Sequence, residues 1–128
     1  NDGSRIEFSR RAQNGTVYLY KDYFNTSSKK VKSEVYRDET ILVSRTEQNE
    51  STKASETDHY NEKGEILEKS IVKIDDRGNM VEFVKFRIGK EHKAQKTTNK
   101  YNEQNELIES AYYFKGKLTS QNVYEYLD

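Results

Sequence analysis

Apolar and polar positions alternate along much of this chain. Arg5-Ile6-Glu7-Phe8-Ser9 alternates residue by residue, the period of a strand with one half-buried face. Thr16 to Phe24 is a run of β-branched and aromatic residues and predicts a second strand. Val31 to Tyr36 predicts a third, stopping near Arg37-Asp38-Glu39, and Thr40 to Thr46, with Ile41-Leu42-Val43, a fourth. Lys53 to Tyr60 leads into the more regular second half. The polar stretches Ala12-Gln13-Asn14-Gly15, Asn25-Thr26-Ser27-Ser28 and Glu47 to Ser51 predict turns, with Asn14-Gly15 a strong hairpin signal. No window sustains a 3.6-residue apolar period past a Gly or Asn break, so helices are not expected.

One nine-residue pattern organises the second half. Tyr60-Asn61-Glu62-Lys63-Gly64-Glu65-Ile66-Leu67-Glu68 recurs as Ile74-Asp75-Asp76-Arg77-Gly78-Asn79-Met80-Val81-Glu82 and as Tyr101-Asn102-Glu103-Gln104-Asn105-Glu106-Leu107-Ile108-Glu109. Asn61, Asp75 and Asn102 can each accept a hydrogen bond from a backbone N–H two residues on, closing an Asx-turn. Gly64, Gly78 and Asn105 stand three residues later, where a type I turn followed by a bulge requires φ > 0. Gly adopts that conformation freely and Asn is the usual second choice. Tyr60/Ile66, Ile74/Met80 and Tyr101/Leu107 are then cross-strand neighbours.

Turn centres near 62, 76, 89, 103 and 115 follow one another, with Gly89-Lys90 and Lys115-Gly116 in the tighter turns. The hairpin unit is about 27 residues, the separation of Ile74 and Tyr101, and the turns near 14, 26, 38 and 49 keep a slightly shorter beat. Nine turns predict an all-β antiparallel meander of about ten strands in one domain over residues 1–128. The expected form is a curled sheet, with a closed up-and-down barrel as the alternative.

Sorting the hairpins by face places Tyr60, Ile66, Val72, Ile74, Met80, Val84, Phe86, Ile88, Tyr101, Leu107, Ala111, Tyr113, Leu118 and Tyr124 on a first face. The second carries Leu67, Ile71, Val81, Phe83, Ile108, Tyr112, Phe114 and Val123, diluted by Lys69, Lys73, Lys85 and Arg87. On that second face Leu67, Ile71, Phe83, Ile108 and Tyr112 form an expected apolar strip. Its aromatic rings suit stacking on a sugar or anchoring a protein partner. Phe83, Tyr112, Ile71 and Leu67 are therefore the candidate ligand-binding residues.

Composition narrows the functional classes. Hydrophobic residues make up only 32% and charged residues 34%, which is lean for a packed core, while 12% aromatic content with ten Tyr favours ordered, half-buried strands. The formal net charge of +0 offers no global field for nucleic acid or an anionic membrane. There is no Cys, which removes disulfides, thiolate nucleophiles and Cys-based metal sites, and no Pro, so the turns rest on Gly, Asn and Asp. No apolar run approaches a transmembrane length. The mean hydropathy is -1.14.

Candidate chemistry is sparse. Asp58-His59 could be an acid/base or metal pair, yet His59 and His92 read better as ordinary strand residues. Glu65, Glu68, Glu82, Glu106 and Glu109 recur with the repeat and read as solvated positions facing Lys, not as a glycosidase pair. No G-x-S-x-G nucleophile setting occurs, and Gly15, Gly64, Gly78, Gly89 and Gly116 are spread one per turn, so no phosphate-binding loop forms. No cofactor, metal or catalytic residue is expected.

The motifs Tyr60-Asn61-Glu62-Lys63-Gly64, Asp75-Asp76-Arg77-Gly78-Asn79 and Tyr101-Asn102-Glu103-Gln104-Asn105 resemble the YD (Rhs-type) repeats of bacterial cell-surface and secreted proteins. The style is that of the short, lysine-rich versions in secreted lipoproteins of Bacteroidetes. The resemblance covers about residues 54 to 126. Ile74 stands where Tyr is expected and Asn105 where Gly is, and the repeats are too few for the large hollow shells of that family. The resemblance implies an antiparallel hairpin array, an extracytoplasmic location (periplasmic, outer-membrane lipoprotein or secreted) and no catalytic residues. The expected function is a non-catalytic binding or structural module at the cell surface, with a glycan or protein partner and no nucleic acid. The alternatives are a small barrel carrying a lipophilic ligand and a self-assembling structural protein.

Overall fold

The computed structural model describes residues 3–127. Ten strands follow one another: β1 (Arg5–Gln13), β2 (Thr16–Phe24), β3 (Lys30–Arg37), β4 (Ile41–Asn49), β5 (Ala54–Tyr60), β6 (Ile66–Ile74), β7 (Met80–Arg87), β8 (Gln95–Tyr101), β9 (Leu107–Phe114) and β10 (Lys117–Val123). They form one antiparallel meander in sequence order. One short 3₁₀ turn, Glu91–Lys93, lies between β7 and β8. β1 and β10 each pair with a single neighbour, so the sheet is open and the closed barrel is ruled out. The polar tails Arg10 to Gln13 and Glu47 to Asn49 extend β1 and β4 beyond their alternating apolar parts. Backbone pairing, not side-chain burial, carries those tails.

Among the described residues no second layer covers the sheet, because each strand packs against its sheet neighbours. Leu19 and Ala111 are the buried apolar side chains, and Glu34 and Ser110 the buried polar ones. The scarcity of apolar residues in the sequence is the counterpart of this architecture: each face needs only half-buried cross-strand pairs.

The turns form two regular series. At the rim where the odd strands begin, positive φ falls at Gly3, Ser28, Lys53, Gly78 and Asn105, in steps of 25, 25, 25 and 27 residues. At the opposite rim it falls at Gly15, Glu39, Gly64, Gly89 and Gly116, in steps of 24, 25, 25 and 27. The hairpin period is thus about 25 residues over the whole chain, and the 27-residue unit is its longest step. Gly64 and Gly78 have φ of 79° and 86° and Asn105 of 69°, as the turn template requires. The Asn61 side-chain oxygen accepts from the N–H of Lys63 and Glu65 at 2.9 and 3.0 Å, and that of Asp75 from Arg77 and Asn79 at 2.9 Å. A fourth copy appears at Asn25, whose side chain accepts from Ser27 and Lys29 at 2.9 and 3.1 Å, with Ser28 in the Gly position.

A bulge follows each of these four turns. Tyr60 pairs with Ile66 but His59 with Glu68, leaving Leu67 as the inserted residue. Val31, Val81 and Ile108 hold the same place after the other three turns. The inserted residue shifts the register by one, so Ile71 pairs with Val84 and Val72 with Phe83. A one-residue shift exchanges faces. The face sorting of the sequence therefore fails beyond the bulge: Val72 shares a face with Phe83, while Ile71 and Val84 lie together on the other.

Candidate functional site

The structure divides the four candidate residues. Phe83 and Tyr112 share one face, in the cross-strand row Val72, Phe83, Thr97, Tyr112. Ile71 stands on the opposite face between Glu56 and Val84, because adjacent strand residues point to opposite sides. Leu67 sits in the rim bulge and is 49% exposed. The single apolar strip expected from the sequence does not exist. Tyr112 is 39% exposed and Phe83 is half-buried, so the pair is neither a free patch nor a sealed core.

What the face of Phe83 and Tyr112 does assemble is an aromatic and cationic surface. Phe83 and Tyr112 are two strands apart, roughly 10 Å. The neighbouring row is Ser70, Lys85, Gln95 and Phe114, and the next pairs Glu68 with Arg87. Phe114 is 40% exposed and lies two residues from Tyr112 on the same strand. Glu68, Lys85, Arg87, Gln95 and Phe114 line a shallow cleft, closed at the rim by Lys90 and Lys93 of the β7–β8 connection. Lys85 is held 3.3 Å from Glu68, leaving Arg87, Lys90 and Lys93 as excess positive charge in the cleft. The sequence carries the signal in the cation-dense run Lys85 to Lys93, of which the face sorting counts only Lys85 and Arg87, as dilution of an apolar face. Phe114 was placed on the correct face but left out of the site.

The opposite face carries a charge ladder across seven strands. Phe8, Lys21, Glu34, Arg45, Asp58, Lys69 and Phe86 are successive cross-strand partners, alternating in sign between two aromatic ends. Glu34 is its centre and is only 4% exposed. It accepts from the Tyr23 hydroxyl at 2.6 Å and from Arg45 Nε and Nη2 at 3.1 and 3.0 Å, with Lys32 Nζ at 4.0 Å. Burial alone would push the Glu34 carboxyl up. The Tyr23 and Arg45 hydrogen bonds and the Lys32 charge outweigh it and hold the carboxyl below its usual value. The hydrogen bond that Tyr23 donates to Glu34, with burial, raises the phenol from 10.0 to about 12. Lys69 lies 2.8 Å from Glu56 and 3.3 Å from Asp58, and its ammonium is held above its ordinary value mainly by Glu56. Lys21 Nζ stands 4.7 Å from the Tyr36 ring centre and 5.8 Å from that of Phe8.

His59 is an exposed strand residue in a row with Ser44 and Glu68, as expected, whereas His92 is not in a strand but in the 3₁₀ turn of the β7–β8 connection. Among the described residues no group of three His, Asp or Glu gathers as metal ligands would, and no helix is long and apolar enough to cross a membrane. No known family model matches this chain, and no curated protein is significantly similar to it in sequence.

Proposed function

We propose that this chain is a non-catalytic binding module whose ligand, a glycan or a protein, lies across the face of Phe83, Tyr112 and Phe114. One observation carries the reading: these rings stand on a face that no second layer covers, beside the uncompensated cations Arg87, Lys90 and Lys93. Partly exposed rings offer flat apolar area at low entropic cost, and cations beside them favour a carboxylated or sulfated sugar, or an acidic peptide. The resemblance of the turn motifs to YD repeats supports an extracytoplasmic, cell-surface setting for such a module.

The test is binding to a panel of acidic and neutral polysaccharides and acidic peptides. Phe83→Ala/Tyr112→Ala is expected to weaken binding at least tenfold. Arg87→Gln is expected to weaken it selectively for the acidic members. Wild-type binding that survives loss of both rings would overturn the reading. A second reading, a self-assembling structural protein, is favoured by the exposed apolar residues at the sheet edges, Phe8 at 57% and Val123 at 69%. A barrel that encloses a lipophilic ligand is not proposed, because the sheet is open.

A further inference from the structure

The two edges of the sheet are the two halves of a contact that the molecule already makes several times. Even strands β2, β4, β6 and β8 each meet the next odd strand on their far side, and β10 is the next even strand in that series. Odd strands β3, β5, β7 and β9 each meet an even strand on their near side, and β1 is the first odd strand. β1 also begins as they do. Gly3, with φ of 88°, takes the place of Ser28, Lys53, Gly78 and Asn105 in the rim series, and a Cβ there would lie 3.4 Å from the Thr26 carbonyl oxygen. In a repeat array each unit contacts only its neighbours, through one recurring interface, and here β1 and β10 are the two halves of that interface left without a neighbour strand among the described residues.

Three further observations point the same way. The described residues form ten strands, an even number, so β10 of one copy and β1 of another in the same orientation run antiparallel and continue the meander. Within the strands, the three most exposed large apolar side chains lie at the edges, Val123 at 69%, Phe8 at 57% and Leu118 at 53%, and Ile6 at 47% lies there too. All four share the face of the charge ladder, through Ile6–Tyr23 and Phe8–Lys21 at one edge and Tyr113–Leu118 and Glu109–Val123 at the other. Lastly, β10 (Lys-Leu-Thr-Ser-Gln-Asn-Val) carries one charged residue, Lys117, and its one interruption is the bulge at Thr119, while the charged residues of the opposite edge, Arg5, Glu7, Arg10 and Arg11, are of both signs.

We propose that β10 of one copy of this chain pairs antiparallel with β1 of a second, head to tail, and that the sheet lengthens by whole chains. Such a contact is heterologous and does not close, so growth is open-ended. It uses the edges, not the face proposed to bind ligand, and stands independently of that reading.

The hydrogen-bond pattern names the groups to block. Tyr124 N–H donates to the Ile108 carbonyl, so the N–H groups of Val123 and Gln121 alternate outward. The Val17 carbonyl accepts from Asp38 in β3's direction, so Ala12, opposite Val17, faces outward, as do Arg10 and Phe8 at the same parity. Gln121→Pro and Phe8→Pro each remove one outward donor from one edge. Phe8→Lys and Val123→Lys are a second pair that leaves the backbone intact.

Sedimentation or light scattering across a concentration series up to millimolar is the readout. The wild-type mass is expected to climb without a plateau. Each edge variant alone is expected to stay monomeric, and a mixture of one β1 variant with one β10 variant to stop at a heterodimer. A wild-type chain that is monomeric throughout, or that stops at a dimer, overturns the proposal. So does continued growth in folded edge variants.

Discussion

Replacing Glu34 with Gln tests whether the charge ladder holds the N-terminal half together. The carboxylate is 4% exposed and takes three hydrogen bonds, one from Tyr23 and two from Arg45. Hydrogen bonds to a charged group are worth roughly 1.5–3 kcal/mol each before compensation. Gln keeps the shape and one acceptor. Arg45 and Lys32, 36% and 33% exposed, regain water when the charge is gone. The net loss is therefore about 1–2 kcal/mol, or roughly 4–8 °C in Tm for a domain of this size. The pH dependence gives a sharper signature. Glu34's carboxyl is held low, so its contribution is present above the ordinary carboxylate pKa and fades as pH falls through the lower folded value. Tyr23's phenol is raised from 10.0 to about 12, so its contribution is full below 10.0 and fades as pH climbs towards 12. Glu34→Gln should flatten both limbs of the stability profile. It should also return the late Tyr23 transition, seen by ultraviolet difference absorbance, towards ordinary tyrosine, while Tyr36, raised first by burial and then by Glu34, moves less. A variant that melts like wild type and leaves that transition in place would refute the reasoning.

Three smaller changes probe the turns. Gly78→Val is expected to destabilise by about 1–2 kcal/mol, measured by denaturant unfolding. At φ of 86° with nothing within 4 Å of a new Cβ, the whole effect is backbone strain. Ser28→Gly should act with the opposite sign and stabilise by about 0.5 kcal/mol, because Ser28 holds φ of 60° where Gly is unstrained. Asp75→Ala should remove the acceptor of two backbone N–H groups and lower the urea midpoint. The Asp75 carboxyl is held below its usual value chiefly by the Asn79 N–H, so acid should narrow the difference between wild type and the Ala variant.

The meander was legible because turn chemistry is local. Asn61 with Gly64, Asp75 with Gly78 and Asn102 with Asn105 announce themselves within four residues, and they adopt the expected φ. The first-half repeats were hidden because Ser28, Glu39 and Lys53 occupy positive-φ positions that carry no sequence signal of their own. Pairing with the neighbouring strand fixes those residues, so the first half shows its turn spacing in the sequence but its positive-φ positions only in the structure. The face assignment failed for a different reason. Leu67 and Val81 look like ordinary members of an alternation, but each is an inserted bulge residue that shifts the strand by one. That shift moved Ile71 away from Phe83 and dissolved the expected strip. Phe83 and Tyr112 were correctly set on one face, while the cationic cleft escaped because Lys85 and Arg87 were weighed as dilution.

The absence of a second layer has a kinetic consequence. Every substantial contact joins strands adjacent in the chain, so no distant segments must find each other before the sheet forms. All-β proteins are usually slow folders because their contacts close long loops, whereas this chain closes only hairpin-sized ones. Folding then resembles a zipper that opens at any internal hairpin and runs outward. Amide exchange should accordingly grade along the sheet. Protection is greatest in β5 and β6, five strands from one edge or the other, and falls stepwise as fraying reaches β1 and β10.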